Sequence, residues 1–304
     1  MNNIAPHNST LKGYLLLLST FFIWGSVYVV GKYSMGVLSP VTIAGGRYLI
    51  AFIVMMAVGG KRYKVKIDKA DWKYFFIIGV LGHYLQTIVN LFGVQLIGAS
   101  TASLINSMNP VSISIVAAIL LHERIDAVQI SCIVLSVIGA VVITSGADGN
   151  GQVMGVLLSV SAIILWAVAS VSLRKMAAKY GVMPVTIYGI IISLMFYIPT
   201  MAVDIIHQGG LHLTWGAAGA VLYLGIFGTA LAGYLWTKAL SMLEASVCSV
   251  FYPLQALFSA LLGAAFLHER FQSTFYIGAA IIAVSVAVNC LHHDKTKQGQ
   301  TVLR

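Results

Sequence analysis

The chain has 304 residues, 59% of them hydrophobic and only 9% charged, with a formal net charge of +9. A soluble domain carries about 25% charged residues, so this surface is too apolar for water, and a lipid bilayer is the solvent that fits. The bases sit in short links between apolar runs; they act as topology signals and form no stripe of the kind that binds nucleic acid.

The polar start, Met1 to Lys12, precedes an apolar run from Gly13 to Gly31. That run is long enough to span, and it reads as a retained helix rather than a cleaved signal peptide. A spanning helix needs about 20 mostly apolar residues, and ten such stretches succeed one another: 13–31, 41–59, 74–94, 101–121, 126–144, 153–173, 184–203, 216–237, 246–267 and 273–291. The predicted class is therefore an all-α membrane protein of ten transmembrane helices. The link between spans two and three carries Lys61, Arg62, Lys64, Lys66, Lys69 and Lys73, which assigns it to the cytoplasm. Alternating the spans from there puts 15 of the 18 bases inside, with Lys32 and Arg270 outside and Arg47 within a span. Both termini are then expected in the cytoplasm, with 292–304 as a short tail. Cys132, Cys248 and Cys290 lie inside apolar runs without a CxxC and read as packing residues.

The sequence repeats itself. Leu120-Leu121-His122-Glu123-Arg124 recurs 146 residues later as Phe266-Leu267-His268-Glu269-Arg270. The same offset aligns Gly79-Val80-Leu81-Gly82 with Gly225-Ile226-Phe227-Gly228, and Ala99-Ser100 with Ala245-Ser246. Pro40-Val41-Thr42-Ile43 matches Pro184-Val185-Thr186-Ile187 at 144, and Ile23-Trp24 matches Leu165-Trp166 at 142. Two five-span repeats, 13–145 and 153–291, follow. An odd number of spans inserts the second upside down, a recurring design of secondary transporters with the solute site where the halves meet.

These residues carry a resemblance. Tryptophans mid-way along helices 1 and 6, Arg47 early in helix 2, and Glu-Arg closing helices 4 and 9 resemble the drug/metabolite transporter superfamily, specifically proteins with two EamA-type domains. The resemblance covers roughly Gly13 to Leu291. It implies export of amino acids or related small metabolites through a central cavity lined by helices 1, 3, 4, 6, 8 and 9. Pro110 stands where that family has a helix-4 proline. Its mate at offset 146 is Ala256, and Pro253 stands three residues earlier, which moves the expected break in helix 9 by nearly one turn.

Polar groups inside spans are costly unless paired or facing a wet cavity. His83, Gln86, Thr87 and Asn90 share one face of helix 3. Ser103, Asn106 and Asn109 of helix 4 pair through the repeat with Ser249, Tyr252 and Gln255 of helix 9. Trp24 and Tyr28 of helix 1 and Trp166 of helix 6 add aromatic walls that can meet an ammonium group. The candidate solute-binding set is therefore Trp24, Tyr28, His83, Asn90, Asn106, Asn109, Trp166, Tyr252 and Gln255. The competing reading of each is helix-to-helix packing or hydrogen bonding. Tyr234 and Trp236 are secondary candidates. His83 titrates near neutral pH and is the candidate for proton coupling. Arg47 can meet a carboxylate or serve a structural tie, and helix 2 is not expected to face the cavity.

All nine acidic residues fall at helix ends or in links. A mid-span carboxylate, which a cationic-drug antiporter needs, is missing, and one buried base is too few for phosphate-ester carriers. The sequence has no GxSxG, HExxH or Walker A motif, so neither enzyme activity nor a cofactor or metal is expected. The partners expected are a small-molecule substrate and the lipid of the plasma membrane, with protons as a possible coupling ion and no nucleic acid. The predicted function is alternating-access export of zwitterionic or neutral metabolites, with a multidrug or other efflux carrier as the alternative. A membrane enzyme or a non-transporting scaffold accounts for the matched polar faces less well.

Overall fold

A computed structural model describes residues 7–121, 127–145, 150–240, 251–269 and 271–302. Among these, all regular structure is helical, in ten rods. They are α1 (His7–Ser34), α2 (Pro40–Gly59), α3 (Trp72–Phe76, Ile77–Leu85 and Gln86–Ile97 end to end), α4 (Ala99–Asn106 and Asn109–Leu121), α5 (Ala127–Ser145) and α6 (Asn150–Tyr180), followed by α7 (Val182–His207), α8 (Trp215–Tyr223, Leu224–Leu231 and Ala232–Leu240 end to end), α9 (Tyr252–Phe266) and α10 (Ser273–Val302). Six, α1–α3 and α6–α8, are long and apolar enough to cross a bilayer, while α5, α9 and α10 hold shorter apolar stretches. The first His-Glu-Arg motif at 122–124, Ala245-Ser246, Cys248 and Ser249 lie outside the described residues.

The fourth span is not the single helix predicted over 101–121. It breaks at Ser107 and Met108 and restarts at Asn109. Proline has no N–H for the carbonyl four residues back, so Pro110 leaves Asn106 O without its helical donor. The Asn109 amide takes that place, donating from Nδ2 to Asn106 O at 2.8 Å and to Asn106 Oδ1 at 2.9 Å. In the second half, α9 opens at Tyr252 with Pro253 in its first turn, three residues before the 146-offset mate of Asn109. The shifted proline has shifted the helix start with it.

Two wide π-type turns recur at the repeat offset, over Ile77–Leu85 in α3 and Leu224–Leu231 in α8. Each carries two glycines that admit a neighbour. A Cβ on Gly79 would stand 2.7 Å from Ile192 Cβ and 2.9 Å from Gly189 O, and one on Gly225 would stand 2.6 Å from Ile50 Cβ and 2.9 Å from Arg47 O. A Cβ on Gly82 would come within 2.5 Å of Ala169 Cβ, and one on Gly228 within 2.5 Å of Val27 Cγ2. Hence α3 packs on α7 and α6 as α8 packs on α2 and α1, while α4 meets α9 and α5 meets α10. These contacts relate α1–α2 to α6–α7 by 142 residues throughout, and the helix starts at Pro40 and Val182 agree. The Pro-Val-Thr-Ile match at 144 is therefore not the structural equivalence: packing, not motif identity, sets the register.

Large apolar side chains such as Val58, Leu157, Met195, Ile206 and Phe266 face outward, as a lipid-embedded surface requires. At one end, Asp204 of α7 accepts from Ser39 and Thr42 at the start of α2, and from Gln208. Ser39 is also the N-cap of α2, accepting from Thr42 N at 3.0 Å. Asp204→Ala should lower stability by about 1–2 kcal/mol, read as an earlier unfolding midpoint in detergent. In the basic link, Lys179 of α6 pairs with Asp68 and Asp71 at 2.5 and 2.6 Å, and this ammonium holds the Asp68 carboxyl below its usual value.

Candidate functional site

A cavity of about 140 Å³ lies between the two halves, on the order of ten times the 10–15 Å³ that one water needs. All nine residues singled out from the sequence line it. Trp24 and Tyr28 come from α1, His83 and Asn90 from α3, Asn106 and Asn109 from α4, Trp166 from α6, and Tyr252 and Gln255 from α9. Among the described residues no carboxylate lines it.

One wall is aromatic. Trp24 and its repeat mate Trp166 meet edge-on with ring centroids 6.5 Å apart. Trp236 of α8 lies 5.5 Å from Trp24 and 5.6 Å from Tyr252. Trp166 Nε1 donates to the Tyr252 hydroxyl at 3.3 Å. Edge-on pairs of this kind are favoured by the ring quadrupoles, and they hold the wall without closing it.

A second wall is amide-rich. Tyr28, Asn90 and Gln255 line it together. Asn109 and Gln255 are each 1% exposed, yet Asn109 Oδ1 and Gln255 Nε2 have no hydrogen-bond partner. A buried polar atom left unpaired costs about 1–3 kcal/mol, so these two amides carry unmet hydrogen-bonding capacity within the wall.

The third wall corrects the sequence reading. Helix α2 does face the cavity, through Arg47 and Tyr48, and α7 joins it through Thr186 and Ile190. Arg47 is buried, donates from Nε to Thr229 Oγ1 at 2.8 Å, and sits 5.8 Å from the Tyr48 ring centre. Thr229 in turn donates to Leu224 O at 3.0 Å inside the π stretch of α8. Tyr48 stacks on Tyr197 at 5.1 Å and lies 5.5 Å from His83. Tyr197 donates to His83 O at 2.8 Å, serving the wide turn of α3 from α7. The halves differ here. The structural mates of Arg47 and Thr229 are Gly189 and His83, and a Cβ on Gly189 would stand 2.9 Å from the imidazole. The ring of His83 fills the volume that an arginine chain takes in the other half. Thr229, Thr237, Tyr48 and Thr186 were not legible as site residues, because single hydroxyls on apolar helices carry no spacing signal.

The second acidic end of the repeat is a structural cap. Glu269 accepts from Ala99 N at 2.8 Å, Ser100 N at 3.2 Å and the Ser100 hydroxyl. This holds the start of α4.

A duplicated set of apolar helices around one polar cavity defines a multi-pass membrane transporter. The sequence profile of the EamA-like transporter family matches residues 11–145 and 153–291, and the chain belongs to that family, which is one of transporters and not of enzymes. An uncharacterized transporter of Archaeoglobus fulgidus is 28% identical, over 91% of this chain and 98% of that protein. The uncharacterized transporter YetK of Bacillus subtilis is 25% identical, over 92% and 87%. The uncharacterized inner membrane transporter YicL of Salmonella typhimurium is 24% identical, over 91% and 95%. A solved protein structure at 20% identity shares the fold, with a TM-score of 0.65 over 93% of this chain and 98% of that one.

Proposed function

We propose that this transporter exports amino acids or related small zwitterionic or neutral metabolites across the plasma membrane by alternating access, from Trp24, Tyr28, His83, Asn90, Asn106, Asn109, Trp166, Tyr252 and Gln255. The observation that carries this reading is the cavity lining: rings, amides and hydroxyls with a single cation and no carboxylate among the described residues. Such walls suit a solute with an apolar body and a small polar head. A cationic drug would want a buried carboxylate. In this reading the repeats lie antiparallel with both termini cytoplasmic, and the wide turns of α3 and α8 let each half rock on its partner. The YicL name, with its inner membrane, supports the placement in the plasma membrane.

The test is uptake of labelled amino acids into vesicles holding the reconstituted protein, together with tolerance of overexpressing cells to amino acids and their analogues. Asn106→Ala and Tyr252→Phe each remove one hydrogen-bonding group and should cut flux about tenfold, with membrane levels unchanged. Full flux in both variants would refute the site assignment. Drug resistance without amino-acid tolerance would replace this reading with a drug-efflux one.

A further inference from the structure

We infer that Arg47 is a carboxylate-docking residue: the solute carried through this cavity bears an anionic carboxylate that pairs with the Arg47 guanidinium. The inference rests on the export reading above and narrows its substrate class.

Three observations carry it. First, Arg47 is 9% exposed, lines the cavity and begins about 10 Å along α2 at 1.5 Å per residue. Second, its charge has no ionic partner: among the described residues the salt bridges are those of Lys179. Asp204 is engaged by Ser39 and Thr42 at the start of α2, about 7.5 Å of helix rise from Arg47, and Glu269 caps α4. Third, the arginine is held in place. Nε is committed to Thr229, and the Tyr48 ring lies beside it.

A buried guanidinium without a counter-charge is costly, and truncating or exposing it is the cheaper solution unless a ligand supplies the charge. The guanidinium fork fits a carboxylate in two parallel hydrogen bonds. Three further residues of the lining carry unpaired, fully buried polar atoms: His83 Nδ1, Asn109 Oδ1 and Gln255 Nε2. The tryptophans that line the cavity fit an ammonium group. A phosphate ester, with up to two charges, would ask for more than one cation, and Lys32 is spent on Val94 O and Gln95 O. The second half has no such residue, since Gly189 takes the place, so the anion end of the solute is held by the first half alone.

The experiment uses the full chain in vesicles and in detergent with L-phenylalanine, its methyl ester, 2-phenylethylamine and 3-phenylpropionate, repeated on the alanine series. Transport is read in vesicles, and the rise in unfolding midpoint on ligand addition is read in detergent. Wild-type protein should carry and be stabilised by the carboxylate-bearing members. Removing the carboxylate should weaken apparent affinity about 10- to 100-fold, the size of a lost charge-assisted pair. Arg47→Gln should erase that discrimination, and Arg47→Lys should restore only part of it because the fork is lost. The wild-type comparison stands even where Arg47→Gln does not fold. If esters and amines are carried as well as the parent acids, the carboxylate site is wrong while the export reading survives. If no member is carried but the acids alone still stabilise the wild type, the export reading fails and the anion site stands. If no member is carried or stabilises, both are withdrawn.

Discussion

Gly79→Val and Gly225→Val should each destabilise the protein by about 1–3 kcal/mol or more, and by similar amounts. The two positions lie 146 residues apart in different halves, yet each meets a β-branched isoleucine and a backbone carbonyl of the partner half. A new Cβ would be 2.7 Å from Ile192 Cβ in one case and 2.6 Å from Ile50 Cβ in the other, with a carbonyl oxygen at 2.9 Å in both. A carbonyl inside a helix cannot step aside as the tip of a flexible side chain can. The helices must part, and the dispersion contacts of the seam go with them. Gly219→Val is the control, because nothing lies within 4 Å of a Cβ there, and it should leave the unfolding midpoint within a degree or two. Unequal effects at 79 and 225, or none, would mean that the two seams are not equivalent.

The second large effect is expected at Glu269. Its carboxylate accepts three hydrogen bonds from the first residues of α4. Helix starts leave N–H groups unpaired, and Gly98, with φ of 86° and no side chain, supplies no cap. Glu269→Ala should therefore cost about 2–3 kcal/mol through lost charge-assisted bonds and stranded donors. Glu269→Gln keeps an acceptor oxygen and should cost roughly half as much, in line with the smaller worth of neutral bonds. Thermal unfolding in detergent reads both. The carboxylate also explains two glycines: a Cβ on Gly98 would come 2.9 Å from Glu269 Oε1, and one on Gly263 would come 2.7 Å from Oε2. On the other side of the same turn, Lys32 donates to Val94 O and Gln95 O at 3.2 and 2.6 Å. The end of α3 and the start of α4 thus receive a cation and an anion, as the helix dipoles prefer.

Composition, apolar run length and the internal repeat determined the class, the number of helical rods and the pairing of halves, because each is a property of chain segments about 20 residues long. The polar faces of α3, α4 and α9 were legible for the same reason: helical period alone puts Asn106 and Asn109, or Tyr252 and Gln255, on one side. Only the tertiary structure decided which faces meet. It brought Arg47 and Tyr48 of α2 into the cavity, against the expectation that this helix stands apart. It also widened α3 and α8 into π turns. It set the equivalence of α2 and α7 at 142 rather than 144 residues. Each of these depends on contacts between residues tens to more than a hundred positions apart, where a glycine sets how closely two helices approach, and local periodicity carries no record of that choice.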